Sequence, residues 1–495
     1  MTRQPITVTQ TTLNIITLFI YLQTIQYAQN GFWTDHWTYT MDLIDSFLSI
    51  FPDKKASMLW ESQVPFFMSP AIIRPRSERY ELVDNPGNPG TSTIRVYRAV
   101  SAWSDSDFPI ERQNALSAIY QSPEYVADGI GAGGVWQKHK RGSVFTVSII
   151  AKLSMLGLLK FSTLDPLGMG VEMEGGKPGW NDAMNGLPGI LGSSMPETYE
   201  ALRIIRFVKK AVKQYELPIS FPIEFAQFLS SLKQTLEVFA ISSKDEAACF
   251  AFWDSSNNAR ELYRLLVVAY FDGSLQEFSA SYLVDVLGAV ELKLEDGIRK
   301  ALALHDGLSP TYFYYECTEF LILPSDPTLV PQTTRVAALQ FRMHQLPIFL
   351  EGPSRHFKII DNVEEKRQVY LKSKNSELYD KELSMFTISG SLASMGQEVG
   401  RMMAFSPGWL ENQSVWLHMS YKFYLELLRG DLYDEFYSEI KTGLVCFMDT
   451  EKYGRSPLEA ASFIVSSAFP DQKVRFSFLF LNKASQYSTI FFLKR

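Results

Sequence analysis

Between Gly175 and Gly189 the chain runs Gly175-Gly176-Lys177-Pro178-Gly179-Trp180-Asn181-Asp182-Ala183-Met184-Asn185-Gly186-Leu187-Pro188-Gly189. So much glycine and proline excludes a continuous helix, yet the stretch carries a tryptophan, an aspartate and two asparagines. A loop of this kind can press a carboxyl against an indole ring. Desolvation there raises the acid's pKa and keeps a proton on it near neutral pH. Such an acid can protonate a glycosidic oxygen, a step to which general acid catalysis contributes about 10²–10⁴-fold. The same residues also describe a structural turn capped by Asp182. Chemistry alone leaves the two readings level.

Other chemistries find less support. Cys249, Cys317 and Cys446 are far apart and form no CxxC pair. They suggest neither a disulfide framework nor a zinc site, and they fit a reducing, cytoplasmic setting. The six histidines show no HxxxH spacing, so no metal ligand and no bound cofactor is expected. A formal charge of -7 without a basic block argues against nucleic acid, whose phosphates demand clustered Lys and Arg. Leu13 to Ile20 is apolar but too short to span a bilayer, and no small-residue cleavage site stands out. It reads as a buried helix turn, with a signal peptide as the alternative, and no membrane partner is expected. Aromatic residues make up 14% of the chain. Flat rings can stack on sugar faces, but that composition alone favours a large aromatic core.

The elements that would hold such a loop are mostly helical. Leu202, Ile205, Val208, Ala211, Val212 and Tyr215 form one stripe, with Arg203, Arg206, Lys209, Lys210 and Lys213 mostly off it. Phe225, Phe228, Leu229, Leu232, Leu236 and Phe239 repeat the pattern after Pro222. Glu261–Phe271 does so again, with Asp272-Gly273 as its stop. A further helix is expected from about Leu275 to Leu304, ending near Asp306-Gly307. Val415–Leu428 and Leu432–Leu444, parted by Gly430-Asp431, read as a helical hairpin. Asn85 to Gly90 is a turn-rich loop. Tyr312–Phe320 and Val336–Gln345 are rich in aromatic and β-branched residues and read as a small strand excursion, inserted at about 309–350. Long helices joined by irregular loops suit an all-α barrel or array, with chemistry in the loops at one end.

The Lys177–Gly189 stretch, with Gly192-Ser193-Ser194 and Glu197-Thr198 after it, resembles the catalytic-loop region of β-glucan phosphorylases, relatives of cellobiose phosphorylase. Further blocks are similar. Gly31-Phe32-Trp33-Thr34-Asp35-His36-Trp37-Thr38-Tyr39, leading into Asp42, looks like an early sugar-binding segment; its alternative is a helix start with core aromatics. Pro407 to His418 looks like the family's Glu-Asn-x-Ser-x-x-x-His stretch, and Tyr453 to Glu459 like a family loop. The resemblance covers about Gln29 to Phe469.

The resemblance implies an (α/α)6-type helical barrel of the six-hairpin glycosidase kind, occupying residues 1–470. Relatives carry a β-sandwich before the barrel and more chain after it, so an incomplete barrel, a fragment of the family's architecture, is expected. After Ser466-Ser467-Ala468 the sequence Val474–Phe480 departs from the family's glycine-rich phosphate turn, and 471–495 reads as a divergent tail. Asp182 would be the single general acid. Trp180, Asn181, Asp35, His36, Trp37, Asp42 and Glu411 would bind sugar, and His418 and Arg455 would bind phosphate, with Arg76 and Arg141 as further cationic candidates. The implied reaction is inverting phosphorolysis of a β-linked glucan, first β-1,3-linked, to α-glucose 1-phosphate. Inorganic phosphate is the co-substrate, and a homodimer is the assembly to test for. Two rivals stand beside it. An inverting hydrolase would need a second carboxylate opposite Asp182, such as Asp35, Glu172 or Glu411. The other rival is an inactive remnant that binds glucan or a partner protein.

Overall fold

The computed structural model describes residues 35–66, 71–85, 90–96, 100–102, 136–139, 144–268, 270–324, 334–447 and 463–470. Among these the fold is mostly α. The sheets are small: six have two strands and one has four. No described helix is long and apolar enough to cross a membrane. Leu13–Ile20, the loop tip 86–89, Arg141, Arg455 and the tail from 471 lie outside the described residues.

The helical stripes read from the sequence coincide with helices. Met195–Tyr215 buries Leu202, Ile205, Val208, Ala211 and Val212 completely, while Lys210 and Lys213 are exposed. Ile223–Ala240 begins directly after Pro222 and buries all six residues of its stripe. Two boundaries differ from expectation. The third helix is Glu246–Val267, capped by Asp245, whose carboxylate accepts the Ala248 amide at 2.9 Å. It stops four residues before Phe271, because the Phe271 amide bonds to the Lys138 carbonyl and its ring stacks on Phe145 at 4.4 Å. Leu275–Phe278 is a strand rather than a first helical turn. It pairs antiparallel with Ile219–Pro222, and the helix starts only at Ala280 and ends at Ala303. Tertiary pairing overrides local period in both places.

By contacts the chain forms two compact units. The first comprises Met1–Gly168, Glu200–Leu294 and Glu319–Gln340. In it Ile223–Ala240 and Glu246–Val267 pack against each other. The buried Arg260 donates to the Ser162 carbonyl and to Asn257 Oδ1. The buried Lys293 ammonium lies over the Phe239 ring, 4.4 Å from its centroid, a cation–π contact.

The second unit comprises Met169–Tyr199, Glu295–Thr318 and Phe341–Arg495. Its main core gathers Phe357, Phe386, Phe423, Tyr424 and Leu427 around the helical hairpin Leu417–Arg429 and Tyr433–Gly443. At the hairpin's bend Asp431 takes the left-handed conformation with φ 60°. The residues before the first of these helices, Val415-Trp416, form a short strand with Phe463-Ile464. Within this unit Ser193-Ser194 pairs antiparallel with Tyr312-Phe313 on one side and with Val171-Glu172 on the other.

Candidate active site

The Trp-Asn-Asp loop belongs to the second unit and is closed at its base. It leaves the sheet at Glu172 and returns at Ser193, and those two residues are antiparallel partners. The Met173 amide adds a bond to the Gly192 carbonyl at 2.8 Å. A second small core lies under the loop. Ala183, Met184, Leu187 and Ile190 are buried there with Met173, Tyr312, Phe349 and Met402.

Asp182 begins a one-turn 3₁₀ helix, Asp182–Met184. The residue that caps it is Asn181, whose Oδ1 accepts the Ala183 amide at 3.2 Å. This corrects the capping role that the structural reading gave to Asp182. Asn181 is buried, and its Nδ2 has no hydrogen-bond partner. With its neighbour as cap and Ala183 and Met184 anchored in the core, the Asp182 carboxylate is directed outward and is 51% exposed. The indole-desolvated carboxyl expected here is therefore absent. Instead Asp182 Oδ1 meets the Arg401 guanidinium at 2.9 Å.

Arg401 arrives on a strap, Gln397–Ala404, made of two consecutive 3₁₀ turns. The strap interlocks with the turn after Asp182. The Gly186 amide donates to the Val399 carbonyl at 3.1 Å, and the Arg401 amide to Asn185 Oδ1 at 2.9 Å. Two glycines make this approach feasible. A Cβ on Gly186 would lie 2.0 Å from the Glu398 carbonyl oxygen. Gly400, at φ 138°, would place one 2.7 Å from the Ala183 oxygen.

The second carboxyl of the site, partly buried, is Glu411. Its Oε2 is enclosed and has no partner. Burial pushes Glu411 above the ordinary carboxyl range. Its own amide opposes this, the Asp182 charge adds to it, and Arg401 opposes it. The tight turn that holds Glu411 has Leu410 and Gln413 left-handed, at φ 48° and 59°. Asn412 is buried beside it and donates to the Phe405 carbonyl at 2.8 Å, while its Oδ1 has no partner. Three buried polar atoms, on Asn181, Glu411 and Asn412, are thus left without partners. Buried polar groups are almost always paired in a folded protein, and other residues of the chain, Trp37 and His356 among them, also keep one such atom without a partner.

Aromatic rings flank these residues. Trp180 packs edge-on against Trp416, with centroids 6.4 Å apart, and lies 5.0 Å from the His418 ring. Trp416 is fixed by a 2.7 Å bond from its indole nitrogen to the Leu410 carbonyl and by stacking on Phe463 at 5.7 Å. His418, in the first turn of Leu417–Arg429, therefore sits against two indoles.

Of the residues singled out in the sequence, the second unit brings together Trp180, Asn181, Asp182, Glu411 and His418. Glu172 stands at the base of the loop. Asp35, His36, Trp37, Asp42 and Arg76 belong to the first unit. Asp35 and His36 start the helix Asp35–Ile50, and their side chains lie outside the described residues. Trp37 is buried with Met41, Ile44 and Phe47 on one face of that helix. Asp42 pairs with Arg203 at 2.8 Å, and Asp45 and Glu200 share the same guanidinium. Arg76 is held by Asp254 at 2.6 Å and stacks on Trp253. Sequence reasoning missed Arg401. Its only signal was a glycine on either side of a polar turn, Gly396 and Gly400, which no periodicity marks.

Among the described residues no group of His, Cys, Asp and Glu gathers as a metal site requires. The cysteines are all free thiols. No model of a known protein family matches the chain, and no curated protein is similar to it.

Proposed function

We propose that this chain is an inverting glycoside phosphorylase acting on a β-linked glucan, with Asp182 as general acid, built on an incomplete (α/α)6-type barrel. The observation that carries the reading is the disposition of Asp182. Asn181 takes over the capping of its turn, and the carboxylate is left half exposed beside Trp180 and within electrostatic reach of Glu411. The indoles of Trp180 and Trp416 supply a wall on which a pyranose ring can lie. The unpartnered atoms of Asn181, Glu411 and Asn412 supply hydrogen bonds to its hydroxyls. Asp182 then gives a proton to the leaving oxygen, and phosphate attacks the anomeric carbon from the opposite face, releasing α-glucose 1-phosphate. Phosphate is already an anionic nucleophile, so no second carboxylate is required as base. His418 and Arg455 are its candidate ligands, and β-1,3-glucan is the first substrate to try.

Glu411 favours one second reading. A carboxyl displaced upward by burial next to one paired with a cation is the arrangement that assigns acid and base in many hydrolases. Glu411 would then protonate the leaving oxygen and Asp182 would activate water. The deciding assay measures free glucose and glucose 1-phosphate together from β-1,3-glucan oligosaccharides, with and without phosphate. Glucose 1-phosphate formed only with phosphate supports phosphorolysis. Reducing sugar released equally well without phosphate supports the hydrolase. Sugar binding without either product would leave a glucan-binding remnant.

A further inference from the structure

A second group of aromatic and polar side chains rises from the small core beneath the Trp-Asn-Asp loop. Tyr312 and Leu346 are buried in that core with Ala183, Met184 and Met402, and the Leu346 amide donates to the Tyr312 carbonyl at 3.1 Å. Side chains two positions apart in a strand share a face. One step outward from this pair come Tyr314 and His344, whose rings stack with centroids 4.6 Å apart and only 8° between their planes. Tyr314 still packs against the same core, while about a third of the His344 side chain, 34%, is in solvent. One step further out are Glu316 and Arg342, both exposed. His344 Nε2 lies 3.0 Å from Glu316 Oε2, and the Arg342 guanidinium lies 3.5 Å from the same oxygen. Glu316 Oε1 takes part in neither contact. The row thus passes from apolar core through a flat double ring to a charged fork, each step about 7 Å long.

We propose that Tyr314, His344, Glu316 and Arg342 form a saccharide platform that holds the part of the glucan chain leaving on the proton from Asp182. This deepens the glycoside phosphorylase reading and rests on it for the identity of the saccharide. The stacked rings offer a flat face to the C–H side of a pyranose. Glu316 Oε1 accepts from one hydroxyl, and the planar Arg342 fork donates to neighbouring oxygens. The adjacent opposite charges select a neutral polyol, because an anionic ligand meets Glu316 and a cationic one meets Arg342. The core that anchors Tyr314 also anchors Ala183 and Met184, next to Asp182 in the chain, so the platform and the acid's turn share one foundation. As an ion pair in solvent the fork adds little to stability, and replacing it should leave the fold intact.

The test compares a β-1,3-linked glucose disaccharide with the hexasaccharide, titrated calorimetrically into the full chain without phosphate. The parent should bind the longer sugar more tightly. His344→Ala and Glu316→Ala should each weaken hexasaccharide binding by about three- to tenfold and leave the disaccharide unchanged. His344→Phe keeps a flat ring on Tyr314 and should recover most of its loss. Glu316→Gln keeps an accepting oxygen and serves if the alanine variant unfolds. Equal affinity of the parent for the two lengths, no binding of either, or a loss in the variants common to both lengths would overturn the proposal. Glucose 1-phosphate formed from the hexasaccharide with one KM in parent and variants would sink the platform and leave the phosphorylase standing. A length preference that the variants abolish, without any glucose 1-phosphate, would uphold the platform and sink the phosphorylase.

Discussion

Asp182 and Arg401 are 219 positions apart in the chain and meet at 2.9 Å, with each side chain about half in solvent. The contact depends on the backbone rather than on the side chains' reach. The strap and the acid's turn share two amide bonds, and the glycines at 186 and 400 let them approach closely. The interlocked backbones therefore fix the position of the carboxylate, and a general acid needs a fixed position.

Replacing Asp182 by Asn tests the acid directly. The amide keeps nearly the same shape and has no acidic proton. Its turn is capped by Asn181 and packed through Ala183 and Met184, so the fold should be untouched. Turnover should fall by roughly 10²–10⁴-fold while sugar affinity survives. Steady-state kinetics beside oligosaccharide titration would check this. A variant that turns over normally would remove Asp182 from the mechanism.

Glu411 offers a prediction in stability. Its pKa is raised above the ordinary 4.5, first by burial. The folded state therefore binds the proton more tightly than the unfolded chain. No stability is lost at pH values below 4.5; the loss grows as pH rises through the folded pKa and is complete above it. Glu411→Gln should then be more stable than the parent at pH 7 and about equal to it at pH 4. Because the group is partly solvated, the gain should be only on the order of a few tenths of a kcal/mol. Urea midpoints at the two pH values would measure it, and a gain confined to acid pH would contradict the assignment.

The helices were legible because burial follows period. The stripe from Phe225 to Phe239 appears in the sequence and is buried without exception. Leu275–Phe278 was misread because its neighbours are helical and its strand partner, Ile219–Pro222, lies more than fifty residues away. In the candidate site the Trp180–Asp182 motif was legible by residue type. The choice of Asn181 over Asp182 as cap was not, since both side chains can accept an amide bond. Arg401 was invisible for a stronger reason. Its role comes from an approach of two irregular segments, and neither has a repeating pattern to read.

Gly186→Ala should separate packing from chemistry. The new methyl would fall 2.0 Å from the Glu398 carbonyl oxygen, a backbone atom that cannot swing away. The strap must shift, at a cost of about 1–3 kcal/mol, and Arg401 should lose its register with Asp182. Gly288→Ala is the control. It lies in the helix Ala280–Ala303 with nothing within 4 Å of the added carbon, and should stabilise by about 0.4–1 kcal/mol. Thermal unfolding of both variants would check the pair, and equal melting temperatures would mean that the strap is looser than the interlocking implies.

His356 governs the last prediction, for acid stability. It ends the helix Glu351–His356 in the second unit, is buried, and stacks on Tyr199 at 5.1 Å. Burial pushes its pKa down from 6.5 to about 4. Between those values the unfolded chain holds a proton that the folded chain does not, so stability must fall as pH drops from about 6.5 toward 4. The loss is at most a few kcal/mol, because each pKa unit is worth about 1.4 kcal/mol. His356→Phe keeps a flat ring against Tyr199 and removes the titration. Its denaturation midpoint should therefore change less between pH 7 and pH 5 than the parent's. The buried Nδ1, which has no partner, disappears with the substitution, so the variant should not be penalised at pH 7 for a lost hydrogen bond. If parent and variant lose stability in parallel over this range, His356 is not the group that sets the acid limit.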